Sequence, residues 1–90
     1  MRWQYFWRFG RHVVTVEIGR FARVTVGHDG MPMGAANAFF HWGQVDFMAQ
    51  EEGRAVPYSV RVHVGPYGMT RFRIQRADED VVGWRPVPRA

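Results

Sequence analysis

Residues 3–26 read WQYFWRFGRHVVTVEIGRFARVTV, and how this stretch pairs with itself decides the fold. Trp3, Tyr5, Trp7 and Phe9 alternate with Gln4, Phe6 and Arg8, the period-two pattern of a half-buried strand. Gly10 supplies the positive φ that opens a two-residue type II′ hairpin turn, with Arg11 second. That turn sets Phe9 against His12, Trp7 against Val14, Tyr5 against Val16 and Trp3 against Ile18. All four pairs share one face. A slip of one residue would oppose the aromatic set with Val13, Thr15 and Glu17, so the apolar pattern selects the register. A three-residue loop from Gly19 to Phe21 then predicts Ile18 opposite Ala22, Val16 opposite Val24 and Val14 opposite Val26. The other face pairs Glu17 with Arg23 and Thr15 with Thr25, contacts that each contribute about 0.2–1 kcal/mol. The result is a three-stranded meander whose aromatic face is core.

Composition sets the frame around this meander. Ninety residues make a single domain spanning 1–90, and a chain this short buries only about 60–65% of its unfolded surface. Apolar residues make up 47% of the chain and aromatics 16%, too much for a disordered chain. Leucine is absent and valine carries the aliphatic load, which favours strands over helices. Every basic side chain is arginine and the net charge is +4. A GC-rich coding source would account for part of that arginine, while the field it creates favours anionic partners. Cysteine is absent, which removes disulfides and thiolate metal sites. Arg2 and Arg8 interrupt the amino-terminal apolar run, and no stretch approaches a membrane span. The expectation is a soluble, cytoplasmic or virion-associated protein with no membrane partner.

Beyond the meander, residues 27–34 (GHDGMPMG) read as loop, its methionines an adaptable contact surface or a cover for the core edge. The next segment supports two readings. A helix over 36–51 lines Ala38, Trp42, Val45 and Ala49 along one stripe, against which stand the central Gly43 and the acidic Glu51 and Glu52 at its carboxyl end. A strand alternates Val45, Phe47 and Ala49 with Gln44, Asp46 and Met48, with a turn over 51–54. Tyr58, Val60, Val62 and Val64 form a clear strand, and Thr70, Phe72 and Ile74 its hairpin partner across the turn 65–68. Loops of three or five residues both keep the apolar set on one face, placing Arg61 opposite Arg71 or Arg73. An acidic turn follows at 77–80, then an extended tail over 82–90 that Trp84 anchors to the core. The fold class is therefore mainly β, with α+β as the variant if 36–51 is helical: an antiparallel sheet or small open barrel of five to six strands. In that variant the element order resembles an OB-fold, by topology alone.

The inventory argues against an enzyme. Ser59 is the one serine and sits mid-strand, lysine and cysteine are missing, and the glycines are spaced as turns rather than as a phosphate cradle. His12, His28 and Asp29 come together in the meander register, a grouping able to hold a metal or move protons, although histidines at a hairpin end are more often simply solvated. No metal site and no cofactor are expected.

The arginine face of the last hairpin is the stronger candidate. Arg61, Arg71 and Arg73 crowd one face, and like charges directly opposite destabilise a sheet pair. A phosphate backbone would offset them, as would acidic side chains folded over the face or plain solvation. Arg2, Arg8 and Arg23, with Phe6 among them, form a second basic group on the meander's outer face, the interleaving that single-strand binders use. The function expected is a non-catalytic module that binds nucleic acid or an acidic surface through these residues. The alternative is a protein-interaction or assembly subunit, such as a small phage or mobile-element inhibitor or structural protein. It would bind a partner or a second copy through edge strands and through Met31, Met33 and Trp84.

Overall fold

A computed structural model describes residues 3–38, 41–65 and 69–88. Eight strands run in chain order: β1 (Trp3–Phe9), β2 (His12–Ile18), β3 (Arg23–His28), β4 (Met31–Asn37), β5 (Trp42–Glu51), β6 (Arg54–Val64), β7 (Thr70–Arg76) and β8 (Glu79–Pro86). They form two four-stranded antiparallel sheets, β1-β2-β3-β4 and β5-β6-β7-β8, each a simple meander. The mainly β, antiparallel class is as expected, with eight strands among the described residues in place of five to six. Among the described residues the helical element is one 3-10 turn at Arg20–Ala22, and no helix is long and apolar enough to cross a membrane.

The β1–β2 register is the expected one at every position from Trp3↔Ile18 to Phe9↔His12. Gly10 has φ +58° and Arg11 is not in the left-handed region, as a type II′ turn requires. The β2–β3 register differs from expectation by two residues: Ile18 pairs with Val24, Val16 with Val26 and Val14 with His28. The connection runs from Gly19 through the 3-10 turn, with Phe21 and Ala22 both at φ +56°. A shift of two keeps every side chain on its face, so the aromatic face is still core although the cross-strand partners change.

The residues expected as loop (27–34) and as helix or strand (36–51) form two strands. β3 turns at Asp29 and Gly30 (φ +50° and +83°) into β4, whose Pro32 lies opposite Gly27 beside a bulge at Val26/Gly27. An edge strand tolerates that proline, which has no N–H for a ladder. The helix over 36–51 is overturned by β5, where Gly43, Val45, Phe47, Ala49 and Glu51 face in and alternate with exposed or half-exposed neighbours. Gly43 is required by closeness, not by a helix stop: a Cβ there would meet Ala36 Cβ and the Asn37 backbone at 3.3 Å. The same tight passage occurs at Gly34, whose Cβ would come 2.7 Å from Val45 Cγ1. The tail expected over 82–90 is instead mostly β8, paired with β7 through Val82, Arg85 and Pro86.

The sheets pack face to face. Trp3 and Tyr5 meet Phe72 at ring separations of 5.1 and 4.9 Å, Trp7 meets Tyr58 edge-on at 6.4 Å, and His28 lies across Phe47 and Tyr58. Val14, Val16, Val24, Val26, Val60, Val62, Phe72 and Ile74 are fully buried between them, each worth about 1.5–3 kcal/mol relative to exposure. Packing of this kind points the outer faces of the two sheets in opposite directions.

Candidate functional site

β5 to β8 present one outer face, built by the same alternation that buries the core. Trp42 projects outward at the start of β5, Arg61 and His63 near the end of β6, Arg71 and Arg73 at the start of β7, and Trp84 on β8. Of the two hairpin registers, the five-residue loop is realised: Arg61 lies opposite Arg73, and His63 opposite Arg71. The turn residues Pro66 to Gly68 lie outside the described residues.

The like-charge pair is relieved by aromatic faces. The Arg61 guanidinium sits 4.9 Å from the Trp42 ring centre and Arg73 5.1 Å from that of Trp84, so a tryptophan on each outer strand flanks the two opposed arginines. Such contacts contribute about 0.5–2 kcal/mol each, more when desolvated. Arg61 also donates twice to Gln44 Oε1, at 3.1 and 2.7 Å. Gln44 in turn donates to both oxygens of Asp46 at 3.0 and 2.9 Å. Hydrogen bonds from Ser59 and then Gln44 hold the Asp46 carboxyl below the usual carboxylate range. Arg73 is less well served: its Nε is buried without a hydrogen-bond partner, and Asp80 Oδ1 is 4.0 Å away.

Between the tryptophans lies an open pocket of about 480 Å³ lined by Trp42, Arg61, His63, Arg71 and Trp84. Trp42 is 55% exposed and Trp84 43% exposed, so Trp84 flanks this groove rather than anchoring a tail to the core. Arg71 is exposed, and its side chain has no hydrogen bond or ion pair among the described residues. Across three strand spacings, the groove between β5 and β8 is about 14 Å wide. The arrangement offers flat rings at both rims, a guanidinium on the floor that no described residue engages, and a ring N–H from His63.

The second basic group does not join it. Arg8 and Arg23 are exposed on the outer face of the other sheet, near its opposite ends, with Phe6 54% exposed between them. Arg2 lies outside the described residues. The residues expected to form a protein contact are also divided. Met31 is 65% exposed at the start of β4 and Met33 packs against the core, while Trp84 is on the other sheet. Trp42 and His63 were not singled out as binding residues in the sequence. The signal was present, since a strand reading of 42–51 turns Trp42 outward beside Gln44 and Asp46.

At the far end of the strands, about 30 Å along β5 from Trp42, a polar cluster closes the space between the sheets. Glu51 is 3% exposed and its carboxylate accepts from Arg76 (2.7 and 3.1 Å), from Tyr58, and pairs with His28 Nε2 at 2.8 Å. Burial raises the Glu51 carboxyl, and the hydrogen bonds from Tyr58, His28 and Arg76 together outweigh it, leaving it below the ordinary value. Burial, and then Glu51, push the Tyr58 hydroxyl well above its usual range. His12 Nδ1 lies 2.6 Å from Asp29 Oδ2 and its Nε2 3.2 Å from Glu52. The His12 and His28 rings are stacked with centres 5.4 Å apart, so the expected association holds diagonally although Val14 is the residue opposite His28. Phe9 covers the Arg76 guanidinium at 4.1 Å, and a cavity of about 720 Å³ opens beside it between Phe9, His12, Arg54 and Arg76.

No known protein family, curated protein or solved structure matches the chain.

Proposed function

We propose that the protein is a non-catalytic binding module whose second sheet takes a segment of single-stranded nucleic acid, or a chemically similar polyanion, in the groove between Trp42 and Trp84. The observation that carries this reading is the pocket itself: two half-exposed tryptophans flank Arg71, whose charge no described residue offsets. Rings on both rims suit stacking on bases, which is worth about 1–3 kcal/mol per base, while guanidinium groups follow the phosphates. A width of about 14 Å accommodates two or three nucleotides at roughly 6 Å each in an extended strand. The larger cavity beside the polar cluster fits this chemistry less well, because Arg76 there is already paired with Glu51. Met31, Met33 and Trp84 share no surface, which weakens the protein-interaction alternative.

The test is binding of labelled single- and double-stranded oligonucleotides, followed by fluorescence anisotropy across a salt series. Contact with two or three phosphates gives a slope of log affinity on log salt of about −1.5 to −2 for a single strand. Arg71→Glu should flatten that slope, and Trp42→Ala should lower affinity about 5- to 100-fold with the slope unchanged. Absence of binding at low salt, or binding indifferent to both substitutions, would refute the proposal.

A further inference from the structure

The cluster at the other end of the molecule has a feature that the binding groove does not explain. His12 opens β2, while His28 closes β3 and Asp29 begins the turn after it. One ring nitrogen from each histidine and one Asp29 carboxylate oxygen lie within 4.8 Å of one another. Asp29 is held from behind, since its Oδ1 accepts the Val13 backbone N–H at 2.8 Å. Its Oδ2 is thereby turned toward both rings, 2.6 Å from His12 Nδ1 and 3.5 Å from His28 Nδ1. The far nitrogens are each backed by a different carboxylate: His12 Nε2 by Glu52 at 3.2 Å and His28 Nε2 by Glu51 at 2.8 Å.

All four imidazole nitrogens therefore face a carboxylate oxygen. A neutral imidazole has one N–H and one lone pair, so with each Nε2–H donated to a glutamate, both Nδ1 lone pairs point at the same anionic oxygen. In that tautomer a positive species at this position would relieve the repulsion. Two extra protons would serve, and so would one metal ion. The outer hydrogen bonds are those that orient metal-bound histidines, a carboxylate on the nitrogen away from the metal fixing tautomer and ring angle.

We infer that His12 Nδ1, His28 Nδ1 and Asp29 Oδ2 form a site for one divalent transition-metal ion of the zinc, cobalt or nickel kind, with Glu51 and Glu52 as its orienting outer shell. Two imidazoles and one carboxylate suit these borderline ions and leave further positions for water. Bonds of about 2.0–2.2 Å place ligand atoms roughly 3 Å apart. The Asp29–His12 distance thus opens slightly and the widest separation closes, changes within reach of side-chain rotation. The ion would tie the start of β2 to the end of β3 and, through His28 and Glu51, to the second sheet. It lies remote from the Trp42–Trp84 groove and does not depend on what that groove binds.

The experiment uses the whole chain, stripped with chelator and titrated with Co²⁺ near neutral pH, reading visible d–d absorption, then with Zn²⁺ in competition. Binding of one ion per chain is expected, with the imidazole signals of His12 and His28 moving in NMR spectra and those of His41 and His63 unchanged. At a hundredfold excess over Kd, Zn²⁺ should raise Tm by about 10 °C or more. His12→Ala should abolish the signal, and Glu52→Gln, at a largely exposed side chain, should weaken binding about 10- to 100-fold. No cobalt absorption and no shift in Tm would overturn the assignment. So would binding that His12→Ala leaves intact, or ring signals that move only at His41 and His63. The NMR readout on the unmodified chain decides the matter even if a substituted chain fails to fold.

Discussion

Glu51 and Glu52 are neighbours in sequence, and the structure assigns them very different energetic weight. Glu51 is 3% exposed, with His28, Tyr58 and Arg76 all directed at its carboxylate. Replacing it with alanine leaves a guanidinium only 22% exposed at its side chain without its partner and a buried imidazole without its acceptor. Breaking one side of such a pair costs about 3–5 kcal/mol. A chain of 90 residues has a total stability of roughly 5–14 kcal/mol, so Glu51→Ala should remove about a fifth of it or more. At about 4–8 °C per kcal/mol for a domain of this size, Tm falls by about 12–40 °C. Glu52 has a side chain 68% exposed, 3.2 Å from His12 and 4.0 Å from Arg11. Exposed pairs of this kind contribute about 0–1 kcal/mol, and Glu52→Ala should move Tm by no more than about 8 °C. Urea unfolding followed by tryptophan fluorescence, with chelator present to exclude metal linkage, measures both. Equal losses from the two alanine substitutions would mean that Glu51 is not enclosed between the sheets, and the packing described for that end would be wrong.

Four further outcomes are open to the same assays. Gly34→Ala places a Cβ 2.7 Å from Val45 Cγ1 and should cost about 1–3 kcal/mol; Val45→Ala in the same chain should recover part of that loss, and strict additivity would contradict the close approach. Ala77 and Asp78 both have positive φ, +50° and +65°, so Asn at 77 with Gly at 78 suits the turn better and should raise stability by about 1 kcal/mol, read as a higher urea midpoint. Asp46 is held below the usual carboxylate value by Ser59 and Gln44, so its contribution is complete above the unfolded-state pKa and is lost as pH falls through the folded one. Asp46→Asn should flatten the acid limb of the stability curve, whereas an NMR titration midpoint at or above the ordinary Asp value would contradict the hydrogen-bond arrangement. Finally, Arg73→Gln should change stability more than nucleic-acid affinity and Arg71→Gln the reverse, measured by unfolding and by anisotropy.

The sequence was legible where geometry is strict and blind where two solutions share a period. The β1–β2 pairing could be read completely because a two-residue turn permits one register and Gly10 marks its first position. The β2–β3 pairing could not, because a shift of two leaves the same faces buried. The residues that set the longer connection, Phe21 and Ala22, carry no turn signature although both adopt positive φ. The Arg61 register stayed open between two loops for the same reason. Residues 36–51 failed differently. Ala38, Trp42, Val45 and Ala49 fit a helical stripe while Val45, Phe47 and Ala49 fit a strand face, and what excludes the helix is the near contact of Gly43 with β4, a tertiary fact. The His12–His28 association was visible from the hairpin, while Glu51, Tyr58 and Arg76 come from strands whose pairing the sequence left open.

The arginine-rich face shows what pairing alone misses. Opposed arginines imply an anion if the sheet pair is considered by itself. In the structure Arg61 and Arg73 are each stacked on a tryptophan from the neighbouring strand, and Arg61 is further bonded to Gln44. The repulsion is met inside the face, so these two arginines are weak grounds for a ligand. Arg71 has no such arrangement and sits between the rims of the pocket. If the face were only a structural ladder, Arg71 could be replaced without consequence. If it binds a polyanion, Arg71→Gln should lower affinity and leave Tm within about 2–4 °C of the unmodified chain, the range of an ordinary surface substitution. The case for a binding surface therefore rests less on the number of arginines than on Arg71, which no described residue pairs.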